Sequence, residues 1–415
     1  MDLWETKTDC CGCTACEIVC PKHCISMVYD KEGFLYPHVD KIACIECGLC
    51  QKVCPIKSTP HKRNIARAWV AQHKDKDILY SSSSGGIFSG IANHLLSQGY
   101  TIVGVVYDNS FRVVHILSQN EYEIHRMRGS KYIQSDMRGV MIVVRRKLEA
   151  GHKICFIGTP CQVAGLKNYL SNDYADLICI DLVCHGVASP LIWKRYIKEL
   201  ETKFDAKIVE YSFRSKHKGH HNFGTYAKFE NGAEYFRDDN SSEKDFMHLA
   251  YFNEVCSRPS CHACRFKSKE RCSDLTMFDC WHVEDFTDLK DDDKGFSTVF
   301  VYSNKGETLF KSITKEYIVR DVTNRINDII EKDGGNVIYS MVPNNRRDQF
   351  MKDLQNGMQI SELQKKYLTQ TIGGKIKFQI KKMIVWLFKT IGIFTKLRSV
   401  YYSRYEKKYT KIVQK

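Results

Sequence analysis

The chain has 415 residues, 43% of them hydrophobic, which is enough to bury more than one core. Its net charge of +14 is concentrated, because residues 375–415 carry twelve Lys/Arg against Glu406 and leave +3 on the rest; that argues against a nucleic-acid-binding body. No charged-then-apolar leader and no run of membrane-spanning length is present, so a cytoplasmic protein is expected, and nineteen cysteines in a reducing compartment point to metal ligands rather than disulfides.

The first 60 residues contain one grammar twice, "CCGCTACEIVCP" and "CIECGLCQKVCP". Each reads C-x-x-C-x-x-C-x-x-x-C-P, at Cys10, Cys13, Cys16, Cys20 and again at Cys44, Cys47, Cys50, Cys54. Three closely spaced thiolates wrap one side of a cubane, and the fourth ligand comes from the other run. The spacing therefore predicts two [4Fe–4S] clusters, one on Cys10, Cys13, Cys16 and Cys54, the other on Cys44, Cys47, Cys50 and Cys20. Zinc ribbons use two cysteine pairs and do not require the full eight. Cys11 and Cys24 fall outside the pattern and read as small buried thiols. Between the runs, "ISMVYDKEGFLYPHV" alternates about a turn and predicts a β-hairpin. The module resembles a bacterial two-cluster ferredoxin.

After a polar linker, strands and helices alternate. "ARAWVAQ" predicts a strand, "SSSSGGIFSGIANHLLSQG" a Ser/Gly loop opening a helix, and "YTIVGVVYD" a second strand. Such a loop presents unpaired N–H groups suited to phosphate, although Ser-Gly clusters are commonly plain caps. "HKICFIGTPCQVAGLKNYL" and "ADLICIDLVCHGVASPLIWKRYIKEL" each read strand–turn–helix, placing Cys161 and Cys184 just past strand ends, where open α/β sheets gather ligands. Cys155 and Cys179 lie within strands and read as core. The pair Cys261 and Cys264 in "RPSCHACRF" reads as cluster ligands, half a zinc site or a dithiol.

Taken together and in order, "SSSGGIFSGI", "RGSKYIQSD", "FIGTPCQVAGL", "DLVCHGVASP" and "RPSCHACRF" followed by "SDLTMFDCW" resemble the beta subunits of coenzyme F420 hydrogenases and dehydrogenases, a family of iron–sulfur flavoproteins. The resemblance covers about residues 1–285, with a weaker echo in "NNRRDQFMKDLQNG". It implies FAD, a further cluster near the flavin, and a small-molecule hydride acceptor or donor. It also implies a reduced carrier or partner redox subunit, and for bacterial relatives a place in cell-surface polysaccharide metabolism. Carried over, flavin contacts fall on Ser83, Ser84, Gly85, Gly86, Ser130, Lys131, Gln134, Gly158 and Thr159. The third cluster falls on Cys161, Cys184, Cys261 and Cys264, with Cys256 and Cys272 as spares. Where many relatives have Gly-Asp-Phe-Trp, this chain has Phe278-Asp279-Cys280-Trp281. That departure is expected to alter the flavin or acceptor pocket. His185 beside Cys184 reads as structural, and no residue is assigned as catalytic.

The expected architecture is an α+β ferredoxin-like two-cluster module at 1–60, then an α/β flavin-binding domain in two parts, 65–150 and 151–345, then a helical, basic C-terminal tail at 346–415. The tail reads equally as a helix packed on protein or as a peripheral contact with the inner membrane face. The function expected is an iron–sulfur flavoprotein oxidoreductase; the alternative is a non-catalytic electron-relay subunit serving a partner enzyme.

Overall fold

The computed structural model describes residues 3–238, 240–241 and 244–369. Residues 1–363 form one compact unit and residues 364–415 a second. Of the second, only 364–369 are described, with a π-helical turn at Gln364–Leu368. The basic stretch 375–415, on which the membrane expectation rests, lies outside the described residues. No helix among the described residues is long and apolar enough to cross a membrane.

The two cysteine runs fold alike. In each, the residue after the second ligand cysteine is left-handed, Thr14 at φ 67° and Gly48 at φ 74°, and a short helix follows, α1 (Ala15–Val19) and α2 (Leu49–Lys52). The expected hairpin is β1 (Ile25–Tyr29) against β2 (Leu35–Val39), antiparallel with Ile25 opposite Val39. Asp30 closes the turn by accepting from the N–H groups of Glu32 and Phe34.

The body is an eight-stranded mixed sheet. Its strands are β3 (Arg67–His73), β4 (Thr101–Tyr107), β5 (Val113–Ser118), β6 (Ile154–Gly158), β7 (Leu177–Leu182), β11 (Leu275–Cys280), β12 (Phe296–Val301) and β13 (Tyr317–Asp321). Their order is β13-β3-β12-β11-β7-β6-β4-β5. The central β4, β6, β7 and β11 are parallel, and the flanking strands antiparallel. Both parts of the expected flavin domain thus feed one sheet. Strands β6 and β7 are apolar along almost their whole length because helices cover both faces. On one face α4 (Ile87–Ser97) and the helix Asn304–Ile313 pack on Trp69, Ile102 and Val299. On the other, α6 (Val140–Glu149) and α7 (Pro160–Leu170) enclose a core that also takes in Cys13, Ala15, Val53 and Ile56, so the N-terminal module shares it. A Cβ on Gly165 of α7 would lie 2.8 Å from that of Cys13, a contact only glycine permits.

After α8 (Pro190–Phe204), the strands β8 (Ile208–Ser215), β9 (Gly224–Phe229) and β10 (Glu234–Arg237) form a separate antiparallel sheet, followed by α9 (Phe246–Phe252). Single bridges, Ile133 to Ala188 and Ala188 to Ser257, lace three distant segments together beside the parallel strand ends.

Candidate functional site

Each cysteine run builds a cavity together with the last cysteine of the other. One cavity is lined by Cys44, Cys47 and Cys50 with Cys20, plus Cys24. A second is lined by Cys10, Cys13 and Cys16 with Cys54, plus Cys11 and Cys50. These are the expected fourfold sets, each with added cysteines. Cys24 lies beside Cys20, Sγ to Sγ 3.3 Å, and is buried as expected. The body supplies a third cavity, lined by Cys161, Cys184, Cys261 and Cys264, joined by Cys11. The spares are elsewhere: Cys256 and Cys272 are buried and do not line it. Among the described residues no three His, Cys, Asp or Glu gather closely enough to hold a single metal ion; the thiols line cavities rather than converge on a point.

The third cavity has a polar frame. Arg258, 1% exposed, donates from Nε to Cys10 O (2.8 Å), from Nη1 to Gln134 Oε1 (2.8 Å) and from Nη2 to Leu35 O (2.9 Å), with Tyr36 against its guanidinium at 4.3 Å. It therefore joins the cavity wall to the first cysteine run and to the hairpin of the N-terminal module. Lys267 donates to Cys184 O and to Asn336 O (2.8 Å). Glu254, left-handed at φ 57°, bonds His185 through one carboxylate oxygen and His262 Nε2 (3.2 Å) through the other. Burial raises its carboxyl, but the two imidazoles outweigh that and hold it down at about 2. Each histidine follows a lining cysteine, so one carboxylate ties two cysteine-bearing loops.

Adjoining this cavity is a cleft of about 440 Å³, within the size range of small-molecule sites. Its floor is the Ser/Gly loop at the start of α4. Gly86 is left-handed at φ 82°; Gly85 packs so closely that a Cβ would lie 2.4 Å from Ala71 O. Ser83 Oγ accepts from the N–H of Ser130 (2.9 Å), Ser84 Oγ donates to Phe296 O (2.7 Å), and Ser297 Oγ accepts from Gly85 N (2.9 Å). Lys216 anchors the loop, donating to Leu79 O (2.9 Å) in α3 (Lys76–Tyr80), to Ser84 O (2.7 Å) and to Lys294 O. Lys131 donates to the carbonyls of Met127, Arg128 and Gly129, the C-terminal end of α5 (Glu121–Met127), and burial pulls its ammonium down to about 7. Beside this loop, on the strand partner of Ser297, Asp279 Oδ2 accepts from Arg214 Nη1 at 2.6 Å, and the Arg214 guanidinium lies over Phe223 (4.6 Å) and Trp281 (5.1 Å). Burial opposes ionisation of Asp279, yet Arg214 holds its carboxyl below the usual range.

Of the residues carried over for flavin, Ser83, Ser84, Gly86, Ser130, Lys131, Gly158 and Thr159 line the cleft. Gly85 lies behind the lining, and Gln134 faces the third cysteine cavity, where its Nε2 donates to Cys11 O (3.2 Å). Sequence reasoning missed Arg214, Lys216, Glu254 and Arg258. Only Arg258 carried a signal, standing in the same "RPSCHAC" segment as two lining cysteines.

The sequence matches known families along most of the body and the N-terminal module. Residues 68–141 match the family model "Coenzyme F420 hydrogenase/dehydrogenase, beta subunit N-term", residues 151–324 the corresponding "C terminus", and residues 9–58 the "4Fe-4S dicluster domain". The chain is 24% identical over 194 residues to a subunit of the F(420)H(2) dehydrogenase of Methanosarcina mazei, covering 42% of this chain and 53% of that one. It is 34% identical over 66 residues to the ferredoxin 7Fe of Hydrogenibacillus schlegelii, 16% of this chain and 78% of that one, and 35% identical over 60 residues to a ferredoxin of Saccharopolyspora erythraea, 14% and 52%. The matches thus span about half the length of the Methanosarcina and Saccharopolyspora relatives. Among solved structures, a chain of the F420-reducing [NiFe] hydrogenase complex from Methanosarcina barkeri aligns with 16% identity and a TM-score of 0.41, over 63% of this chain and 84% of that one. The chain belongs to the coenzyme F420 hydrogenase/dehydrogenase beta subunit family and carries a 4Fe–4S ferredoxin-type domain at its N-terminus.

Proposed function

We propose that this protein is an iron–sulfur flavoprotein oxidoreductase moving electrons between three [4Fe–4S] clusters and FAD, toward or from a small-molecule hydride partner. The observation that carries the reading is a series of adjoining cavities. The outermost, with exposed Cys47, shares Cys50 with the second; the second shares Cys11 with the third; the third shares Thr159, Cys184 and His185 with the cleft. Thiolates at twelve positions suit iron–sulfur clusters, with Cys10, Cys13, Cys16 and Cys54 for one, Cys44, Cys47, Cys50 and Cys20 for another, and Cys161, Cys184, Cys261 and Cys264 for the third. The Ser/Gly loop offers N–H groups at the N-terminus of α4 to a pyrophosphate, and the cleft is large enough for a flavin. FAD bound there supplies the conversion between single electrons and a hydride.

The chain's own residues do the positioning. Lys216 and Ser297 fix the Ser/Gly loop, Arg258 fixes the ferredoxin module against the third cavity, and Glu254 fixes two of the loops around it. Anaerobic purification with iron, sulfide and flavin analysis tests the proposal. About twelve irons and one FAD per chain are expected, four irons per cubane; Cys264→Ser should lose about four of them. Eight irons without flavin would instead mean a relay subunit, and zinc in place of iron would refute both.

A further inference from the structure

The outermost cysteine cavity opens on a surface of unusual composition. Ile42 is 99% exposed, Ile45 57% and Leu49 37%, and Cys47 among them is exposed. Ile45, Cys47 and Leu49 line the cavity itself. Single exposed apolar residues are ordinary, but three within eight positions around one cavity mark an interaction surface. The loop is held rather than loose: the N–H groups of Ile42 and Ala43 donate to Asp40 Oδ1 at 2.9 and 3.4 Å, and Cys44 N donates to Asp40 O at 3.1 Å. Basic residues border it. Lys22 lines the same cavity, Lys41 precedes Ile42, and Lys52 ends α2, all exposed. Against them stand Glu46 and Asp40, the latter turned toward the loop's own N–H groups.

We infer that this face receives a small electron-carrier protein with an acidic surface, whose redox centre comes to rest over Ile45, Cys47 and Leu49. The inference rests on the chain being an iron–sulfur electron carrier. In the step, the reduced carrier gives up one electron and the centre held by Cys20, Cys44, Cys47 and Cys50 takes it; no bond changes and no proton moves. Apolar contact at the centre with a charged rim suits a weak, short-lived redox encounter of small area, and the lysines would steer it.

The test uses the anaerobically reconstituted full chain and two electron donors, an acidic flavodoxin in its hydroquinone form and reduced methyl viologen, followed by stopped-flow absorbance. The flavodoxin rate should fall with rising ionic strength. In Ile42→Asp/Ile45→Asp it should drop at least about tenfold, and in Lys22→Glu/Lys52→Glu about three- to tenfold. The methyl viologen rate should stay within about twofold in both, because a small donor needs no docking face. Iron content equal to wild type shows that the variants are intact; should the isoleucine variant lose iron, the lysine variant decides alone. Flavodoxin rates unchanged in iron-replete variants, or independent of salt, would overturn the docking face while leaving the proposed function untouched. A wild-type chain that neither donor reduces would sink the proposed function and the docking face with it.

Discussion

Arg258 offers the sharpest check on how the two modules are joined. It is 1% exposed, and its three nitrogens each donate to an acceptor from a different segment: Cys10 O, Gln134 Oε1 and Leu35 O. Arg258→Met keeps much of the volume and removes all three donors. Each orphaned buried acceptor costs about 1–3 kcal/mol, and because the three share one side chain the losses are not additive; roughly 3–5 kcal/mol in total is expected. For a compact unit of residues 1–363, with an unfolding entropy of about 2.1 cal/mol/K per residue, that lowers the melting temperature by roughly 4–7 °C. Arg258→Lys keeps the charge, but a single ammonium cannot span three acceptors arranged for a planar fork, so it should fall between wild type and Met. The assay is thermal unfolding of the anaerobic holoprotein followed by limited proteolysis, with early release of residues 1–60 as the signature of undocking. A Met variant that melts within about 1 °C of wild type and releases no N-terminal fragment would refute the reasoning.

Three further outcomes are expected. Gly85→Ala places a methyl 2.4 Å from Ala71 O and 2.6 Å from Ser297 N, both backbone, so the Ser/Gly loop must shift; it should cost roughly 1–3 kcal/mol and weaken FAD uptake measured by fluorescence titration. Glu254→Gln can accept from only one of His185 and His262, and should make about a third of the iron roughly tenfold easier for a chelator to remove, with the ferredoxin-type signals unchanged in EPR. Burial raises Asp181 from 3.8 to about 6, despite the pull of Arg271 3.6 Å away. Between those values the folded state holds the extra proton, so stability falls as pH rises and is flat above about 6. Asp181→Asn should abolish that fall, gaining up to about 3 kcal/mol on wild type between pH 4 and 6 in urea titrations.

How much of this was legible in the sequence follows from how local each contact is. The eight ferredoxin cysteines were readable because three of each four lie within seven residues, and the crossing fourth is fixed by the repeat of the run. Cys161 and Cys184 were readable as strand-end groups, and they do line one cavity with Cys261 and Cys264. Cys11 was not, since adjacency to Cys10 says nothing about which way the chain turns its side chains. Gln134 shows the same limit. The segment runs extended beside Ala188, so neighbours point to opposite sides: Ile133 and Ser135 reach the cleft while Gln134 reaches Cys11 and Arg258. Arg214 meets Asp279 across 65 residues, from an inserted sheet whose position no local pattern encodes. The antiparallel flank of β12, β3 and β13 was equally out of reach, because strand order in a mixed sheet is set by long-range pairing.

The departure at Phe278 bears on whether the cleft can accept a substrate. It stands on β11 opposite Thr298, and it lines the cleft together with its immediate neighbours Met277 and Asp279. Its ring meets Phe300 edge-on, centroids 5.0 Å apart at 69°, and packs against the core that holds Val70 and Phe296. Part of the ring is therefore spent on the core, and the remainder narrows the cleft. About 440 Å³ remains open, lined by the Ser/Gly loop and by the Arg214–Asp279 pair beside it. A relay subunit that carries no flavin would need no open cleft of this kind. Here the Arg214 guanidinium, paired with Asp279 and packed on Phe223 and Trp281, forms a fixed polar stretch of that space's wall. On the flavoprotein reading proposed above, Phe278 leaves the cleft open and restricts the shape of what can enter it.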